Sequence, residues 1–341
     1  MRRRSVLFAV PALMLTAAGC GKDDNKSGSA ASKSPTGSAT PTPSASATPT
    51  APAKAKIVSG PLPGITAGTA FNTKPTVAKG TGKPSTNLAV KAVIPGSGPA
   101  IVSGDYVRVN YLGQIWDTAK VYDTSFGHAP YAIALGQAKV IPGLDQALVG
   151  QKLNSRVELA IPPALGYGST GYAQAGIKGT DTLVFVVDIL EHFTGKDSAK
   201  GKVVPQNDAS LPKVATNTDG KIPAITLAKG AKAPTKLVSN YVLEGNGPVV
   251  KGTDTLLVQY QGVLWDGGKS FDSSYSRNQL TDFALSQVIP AWTQGLTGKK
   301  VGSRVLVVAP PALAYKDQPP SGSGIPANAT LIFTVDILAT L

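Results

Sequence analysis

From Tyr106 to Tyr111 apolar and polar residues alternate (Tyr-Val-Arg-Val-Asn-Tyr), the period-two pattern of a strand with one buried face. Thr255-Leu256-Leu257-Val258-Gln259-Tyr260 repeats it more loosely. Arg156-Val157-Glu158-Leu159-Ala160-Ile161 and Arg304-Val305-Leu306-Val307-Val308 form a second matching pair of predicted strands, and 183–190 and 331–338 form a third. One short helix is predicted in each half. The first opens on Pro142, whose fixed φ suits a first helical turn, and carries Leu144, Ala147 and Leu148 to Gly150. Its counterpart opens on Pro290 and carries Trp292 and Leu296 to Gly298. Each helix has one apolar stripe, with Leu144 or Trp292 on it. These elements predict an α+β arrangement, in which each half is an antiparallel sheet with one short helix packed on it.

The elements recur because the sequence itself recurs. Tyr111 and Tyr260 lie 149 positions apart, and Tyr167 and Tyr315 lie 148 apart. Between them, Tyr122-Asp123-Thr124-Ser125 answers Phe271-Asp272-Ser273-Ser274, and Val140-Ile141-Pro142-Gly143-Leu144 answers Val288-Ile289-Pro290-Ala291-Trp292. Leu62-Pro63 matches Leu211-Pro212, and Ala78-Lys79-Gly80 matches Ala228-Lys229-Gly230. Each copy therefore carries an N-terminal extension of roughly 25 residues, to which the sequence assigns no role. The copies are placed at 58–194 and 203–341, with cores at about 88–193 and 236–341 and a Gly/Lys/Ser linker at 195–202.

Arg2, Arg3 and Arg4 precede an apolar run from Val6 to Leu15 that is too short to span a membrane. Ala17-Ala18-Gly19-Cys20 follows. The segment resembles a bacterial lipoprotein signal peptide, residues 1–19, cleaved before Cys20, whose sulfur would carry the lipid. An ordinary secretory signal is the alternative. Residues 20–57 are rich in Ser, Thr, Ala and Pro and bury too little apolar surface to offset their ordering entropy, so a disordered tether is expected. At full stretch it would reach on the order of 100 Å. The expected location is the cell membrane, lipid-anchored on its extracytoplasmic face.

Composition removes most catalytic chemistries. Cys20 is the single cysteine, which excludes an intramolecular disulfide, a thiolate catalyst and a thiolate metal site. With only His128 and His192 present, a histidine triad or zinc site is not expected, and neither is a cofactor. The formal charge is +13, and about +10 without Arg2, Arg3 and Arg4. The charge is dispersed, with many lysines in linkers (Lys196, Lys200, Lys202), so it reads as a solvated surface drawn to an anionic cell envelope rather than to nucleic acid. The repeated residues are aromatic and apolar with one recurring acid, the inventory of a greasy pocket. Tyr167 and Tyr315 follow Pro-Pro loops, where core side chains are less expected. For Phe185 and Phe333 the alternative is plain core packing, and for Asp123 and Asp272 a turn cap.

Tyr260-Gln261-Gly262, Phe271-Asp272-Ser273-Ser274, Val288-Ile289-Pro290-Ala291-Trp292, Leu313-Ala314-Tyr315, and Ile325-Pro326 before Ala329-Thr330-Leu331-Ile332-Phe333 resemble the FKBP-type peptidyl-prolyl isomerases. The resemblance covers about 236–341 and, in the same order, about 88–193. It implies a five-stranded antiparallel sheet wrapped around a short helix, with a proline ring entering the cleft between them. In the second copy it makes Trp292 the pocket floor and Tyr260, Phe271, Val288, Ile289 and Phe333 its walls. The Ile289 backbone N–H and the Tyr315 hydroxyl would bind substrate carbonyls, with Asp272 at the rim and Ile325 lining the site. In the first copy the matching residues are Tyr111, Tyr122, Asp123, Tyr131, Val140, Ile141, Leu144, Tyr167, Ile177 and Phe185. The implied partners are proline-containing unfolded or exported polypeptides, with macrolide inhibitors as candidate ligands.

Each copy departs from the pattern. The first has Leu144 in place of the Trp floor, Tyr122 where Phe is usual, and Lys178 rather than proline after Ile177. The second has Thr281 where the first keeps aromatic Tyr131, Lys316 where glycine is usual, and a longer flap at 319–324. The second copy is expected to be the better catalyst, since losing a flat indole should weaken proline stacking by on the order of 1 kcal/mol or more. The alternative, strongest for the first copy, is a module that binds proline segments with little or no turnover. A solute-capture lipoprotein would need a doubly wound α/β chain with long helical periods, and the sequence has none.

Overall fold

The computed structural model describes residues 54–341. The expected signal peptide, Cys20 and the tether up to residue 53 lie outside them. The described part starts a little before the expected boundary: Ile57–Val58 already pairs with Leu88–Ala89, and the Ala55 N–H donates to Gln146 Oε1 at 2.7 Å.

The alternating run at Tyr106 becomes a ten-residue strand, Tyr106–Ile115. It is long enough to pair with Leu183–Phe193 on one side and with both Val121–Thr124 and Tyr131–Ala134 on the other. Across the sheet the order is Ile57–Val58, Leu88–Ile94, Arg156–Ile161, Leu183–Phe193, Tyr106–Ile115, Val121–Thr124. The first of these pairings is parallel and the rest are antiparallel. The second copy repeats the order as Lys202–Val203, Val238–Glu244, Arg304–Ala309, Leu331–Thr340, Thr255–Leu264, Ser270–Ser273, with Thr281–Ala284 also on Thr255–Leu264. The chain is thus two α+β domains, each a curled sheet around a short helix.

The predicted helices are Pro142–Leu148 and Pro290–Leu296. Neither has a side-chain N-cap; proline at the first turn removes one N–H that would otherwise need a partner. Each chain leaves its helix through a glycine of positive φ, Gly150 at 88° and Gly298 at 82°. Leu144, Ala147 and Leu148, or Trp292 and Leu296, face the concave side of the sheet and form the main core there.

The extensions form a second core on the opposite face. Val77, with Val58, Leu62 and Ile65 beside it, packs on Ala89, Leu112, Trp116 and Val184. Val214, with Ile225, Leu227 and Ala231, packs on Val242, Val263, Trp265 and Ile332. Both faces of each sheet are therefore buried, which explains the nearly continuous apolar runs of the central strands. An ion pair fastens each extension. Arg156 binds Asp188 through two hydrogen bonds of 2.6 Å and donates to Gly68 O and Thr73 O of the extension, while the Asn72 N–H donates to Asp188. Arg304 and Asp336 repeat this, with Ala215 O and Asn217 O as the acceptors.

Residues 195–202, expected as a linker, are packed against the second domain. Ser198 and Ala199 are buried, the Ala199 N–H donates to Asp336 Oδ2 at 2.8 Å, and Lys202–Val203 is a strand of the sheet. The domains also meet directly. Tyr106 and Lys139 of the first both reach Asp282 Oδ1 of the second at 2.6 Å, beside a small apolar cluster of Tyr106, Ala134, Leu257, Leu280 and Ala339.

Candidate functional site

Trp292 stands on the helix Pro290–Leu296 and points its indole at the concave face of the sheet, where it is 4% exposed. Three rings stand nearly perpendicular to it. Tyr260 lies at 5.5 Å and 83°, Phe333 at 5.5 Å and 90°, and Phe283 at 5.2 Å and 78°. Phe271 stands edge-on to Phe333 at 5.7 Å and extends the wall. Perpendicular rings around a flat one make a floor with sides, a geometry that aromatic quadrupoles favour. Gly262 makes room for them: a Cβ there would fall 2.5 Å from the Phe271 ring and 3.1 Å from Phe333. Val288, Ile289, Leu313 and Tyr315 pack partly buried against the same cluster, of which Ile325 is a buried member. Ile289 is also the residue from which the helix starts, and its carbonyl accepts from the Trp292 N–H at 2.9 Å.

One charged clamp sits at the rim. The Tyr260 hydroxyl donates to Asp272 Oδ2, Arg277 donates to Asp272 Oδ1 at 2.5 Å, and Arg277 also donates to the Tyr260 oxygen at 3.1 Å. Burial alone would raise the Asp272 pKa, but the hydrogen bonds from Tyr260 and Arg277 hold it below the usual carboxylate range. Burial, with the Asp272 carboxylate beside it, pushes Tyr260 up to about 12. Tyr315 is raised by burial and then by the same carboxylate, so both phenols stay protonated and act as donors at neutral pH.

A relay of hydrogen bonds fixes the Tyr260 backbone. Its N–H donates to Ser274 Oγ at 2.8 Å, Ser274 donates to Gln259 Oε1 at 2.5 Å, and Gln259 Nε2 donates to Gly195 O at 2.6 Å. The first copy has the same relay in other residues: Tyr111 to Ser125 at 2.9 Å, Ser125 to Asn110 at 3.0 Å, Asn110 to Asn72 at 2.7 Å. In both copies a segment preceding the family-like core is hydrogen-bonded to the strand that carries the pocket tyrosine.

The first copy brings its residues together differently. Leu144, 1% exposed, replaces the indole, with Val140, Ile141 and Ile177 buried in the same core. Tyr111 is edge-on to Tyr131 at 6.0 Å and donates to Asp123 Oδ2 at 2.5 Å. Tyr122 is edge-on to Phe185 at 6.0 Å, and its buried hydroxyl has no hydrogen-bond partner among the described residues. Burial, then the neighbouring Tyr167 and Asp123, pushes the Tyr122 pKa well up. Tyr167 stacks on Tyr172 at 5.3 Å and 18°.

Four site residues lie outside the expected set. Phe283 follows Thr281 by two positions on the same strand face and supplies the aromatic edge that Thr281 lacks; Thr281 itself pairs with Val258 as Tyr131 pairs with Val109. The period-two rule applied to Thr281–Ala284 would have found it. Arg277 ends a four-residue helix, Ser274–Arg277, too short to show periodicity. Tyr172 and Gln259 carry no signal of their own. Lys316 adopts φ 54°, where the first copy has Gly168 at 62°, which is why glycine is usual there.

The sequence profile of the FKBP-type peptidyl-prolyl cis-trans isomerases matches residues 98–190 and 247–338. The chain is 31% identical over 235 residues to the FKBP-type isomerase FkpA of Escherichia coli K12, covering 62% of this chain and 84% of that one. It is 29% identical over 252 residues to rat FKBP9, 73% of this chain and 37% of the relative. With human FKBP10 it shares 31% over 241 residues, 70% of this chain and 34% of the relative. It thus spans little more than a third of these two mammalian relatives. Two matched stretches in tandem, each containing a short helix, aromatic rings packed in the core beside it and a tyrosine–aspartate hydrogen bond at corresponding places, lead to one conclusion: the chain belongs to the FKBP-type peptidyl-prolyl cis-trans isomerase family and carries that family's domain twice.

Proposed function

We propose that the chain catalyses cis-trans isomerisation at Xaa-Pro bonds and that the second domain does most of the work. The observation that carries this reading is the Trp292 floor with its perpendicular walls of Tyr260, Phe283 and Phe333. An Xaa-Pro bond resists rotation because amide resonance must be lost, and it turns over unaided in tens of seconds or longer. The twisted imide has a less polar carbonyl than the planar one. A dry aromatic cavity therefore penalises the planar ground state more than the twisted transition state. Tyr315 and the Ile289 N–H would hold the flanking carbonyls while the proline ring stays against Trp292. No proton transfer is required, so Asp272 orients and polarises without titrating.

This makes the pH dependence a test. A carboxylate held below its usual range contributes above its unfolded pKa and is lost only as pH falls through the lower folded value. Tyr260 at about 12 stays protonated far above neutrality. kcat/KM is expected to be flat from about pH 5 to about pH 9. A bell-shaped profile centred in that window would point to a general acid or base and against this mechanism. Phe283→Ala is expected to lower kcat/KM several-fold, because it removes one wall and opens the indole to water. Unchanged turnover would show that Phe283 is core alone.

For the first domain, binding without useful turnover is the better reading, favoured by Leu144 in place of the indole. Further proposals are that the chain is held at the extracytoplasmic membrane face through Cys20, that its clients are exported polypeptides, and that the same pocket takes macrolide inhibitors. The test of the assignment is protease-coupled isomerisation of a proline tetrapeptide by residues 54–194 and 195–341 separately. The second fragment keeps the segment that donates to Asp336 and accepts from Gln259. Acceleration by the second fragment and little by the first is the expected result. Acceleration by neither would reject the function.

A further inference from the structure

The backs of the two sheets differ under the extensions. In the first copy Leu112 and Val186 are cross-strand neighbours there, both buried. The extension lies directly on that surface: a Cβ on Gly80 would fall 2.1 Å from the Trp116 indole, and the Gly80 N–H donates to Trp116 O at 2.9 Å. Gln114 Nε2 fastens it further by donating to Ala78 O at 2.9 Å. The matching cross-strand pair in the second copy is Gln261 and Thr334. Trp265 Nε1 donates to Ala231 O at 3.3 Å, as Trp116 Nε1 does to Gly82 O, but beside that contact Gly230, the counterpart of Gly80, would have nothing within 4 Å of a Cβ. A cavity of about 590 Å³ opens there, walled by Ile225, Leu227, Val263, Trp265 and Ile332, with Gln261 among its lining residues.

Two oxygens on this face are orphaned, one on Gln261, which lines the cavity, and one on its cross-strand neighbour Thr334. Gln261 Oε1 and Thr334 Oγ1 are both buried, and neither has a hydrogen-bond partner among the described residues; Thr334 is 1% exposed. A buried polar atom without a partner is unfavourable, and two adjacent ones where the sister domain has Leu and Val are not explained by packing. An amide and a hydroxyl can each accept a proton donor. The indole and the aliphatic walls favour a ring, and the volume lies in the range of small-molecule sites. Lys229 and Asp266 both stand among the lining residues, so the cavity presents no single sign of charge. We propose that this cavity is a second binding site, on the face opposite the proline pocket, for a small neutral ring compound carrying one O–H or N–H donor. The donor would reach Gln261 Oε1, and the ring would lie against Trp265.

The test is titration of the protein with phenol, with toluene as the ring without a donor, followed by NMR at the Trp265 indole N–H (assigned with Trp265→Phe). Phenol is expected to shift that resonance saturably and to bind roughly five-fold or more tightly than toluene. The double variant Gln261→Leu/Thr334→Val installs the first copy's residues. It should abolish the preference for phenol while isomerisation of a proline tetrapeptide stays unchanged. No saturable shift at Trp265, equal binding of phenol and toluene, or an unaltered preference in the double variant would each overturn the proposal. The toluene comparison needs no variant and stands even if the double variant folds poorly.

Discussion

Trp292→Leu, which installs the residue of the first copy, is expected to lower kcat/KM for a proline tetrapeptide about ten-fold or more. The indole contacts three rings at 5.2–5.5 Å, so its loss removes the floor and the edge-on support of three walls. Edge-on pairs contribute roughly 0.5–1.5 kcal/mol each beyond area, and part of that loss will fall on folding rather than on catalysis. The two are separable. Destabilisation of about 2–4 kcal/mol should appear in urea unfolding, whereas the catalytic loss should persist at low denaturant, where the variant is folded. The reciprocal change, Leu144→Trp, is not expected to create an active first domain. Leu144 is 1% exposed and surrounded by buried Val140, Ile141 and Ile177, so an indole would overpack the site at a cost of about 1–3 kcal/mol. Strong activation of the first domain by that change would show that the floor alone decides turnover.

The largest effect on stability is expected at Asp336. Its carboxylate and the Arg304 guanidinium are both 0% exposed, joined by hydrogen bonds of 2.6 and 2.7 Å. The carboxylate also accepts from the Ala199 N–H at 2.8 Å and the Tyr275 hydroxyl at 2.9 Å. Arg304 in turn holds the extension by donating to Ala215 O and Asn217 O. Asp336→Leu strands a buried guanidinium, and the expected loss is about 3–5 kcal/mol in urea unfolding of the second domain. Adding Arg304→Met should recover part of that loss, because the stranded charge goes, but not all of it, because the carbonyls of Ala215 and Asn217 lose their donor. A double variant less stable than the single one would contradict this account. Tyr275 belongs to the short helix that ends in Arg277, so Asp336→Leu should also loosen the Arg277–Asp272 clamp and lower turnover.

Strands and helices were legible where periodicity is long enough to show. Ten-residue strands and a helix opened by proline announce themselves, and so do Trp292, Tyr260 and Asp272 once the copies are compared. The extensions were legible as repeated segments, but how they fold and attach was not, for a physical reason. They form strands of two or three residues, Ile65–Ala67 with Thr76–Val77 and Lys213–Val214 with Ile225–Thr226, too short for a pattern. Their attachment depends on backbone carbonyls, which have no sequence signature. Arg304 and Asp336 sit within apolar strands 32 positions apart, and only the sheet brings them together. Residues 195–202 have the composition of a flexible linker, yet Ala199 docks because its N–H completes the Asp336 carboxylate. Phe283 was within reach of the period-two rule, but the comparison of the copies drew attention to Thr281 instead.

The most direct measurement of the central claim is cis-to-trans relaxation of a proline tetrapeptide with and without residues 195–341, in the native sequence and as Trp292→Leu. Clear acceleration that falls about ten-fold in the variant is the predicted result. Relaxation at the unaided rate with the native sequence, or full acceleration without the indole, would contradict it.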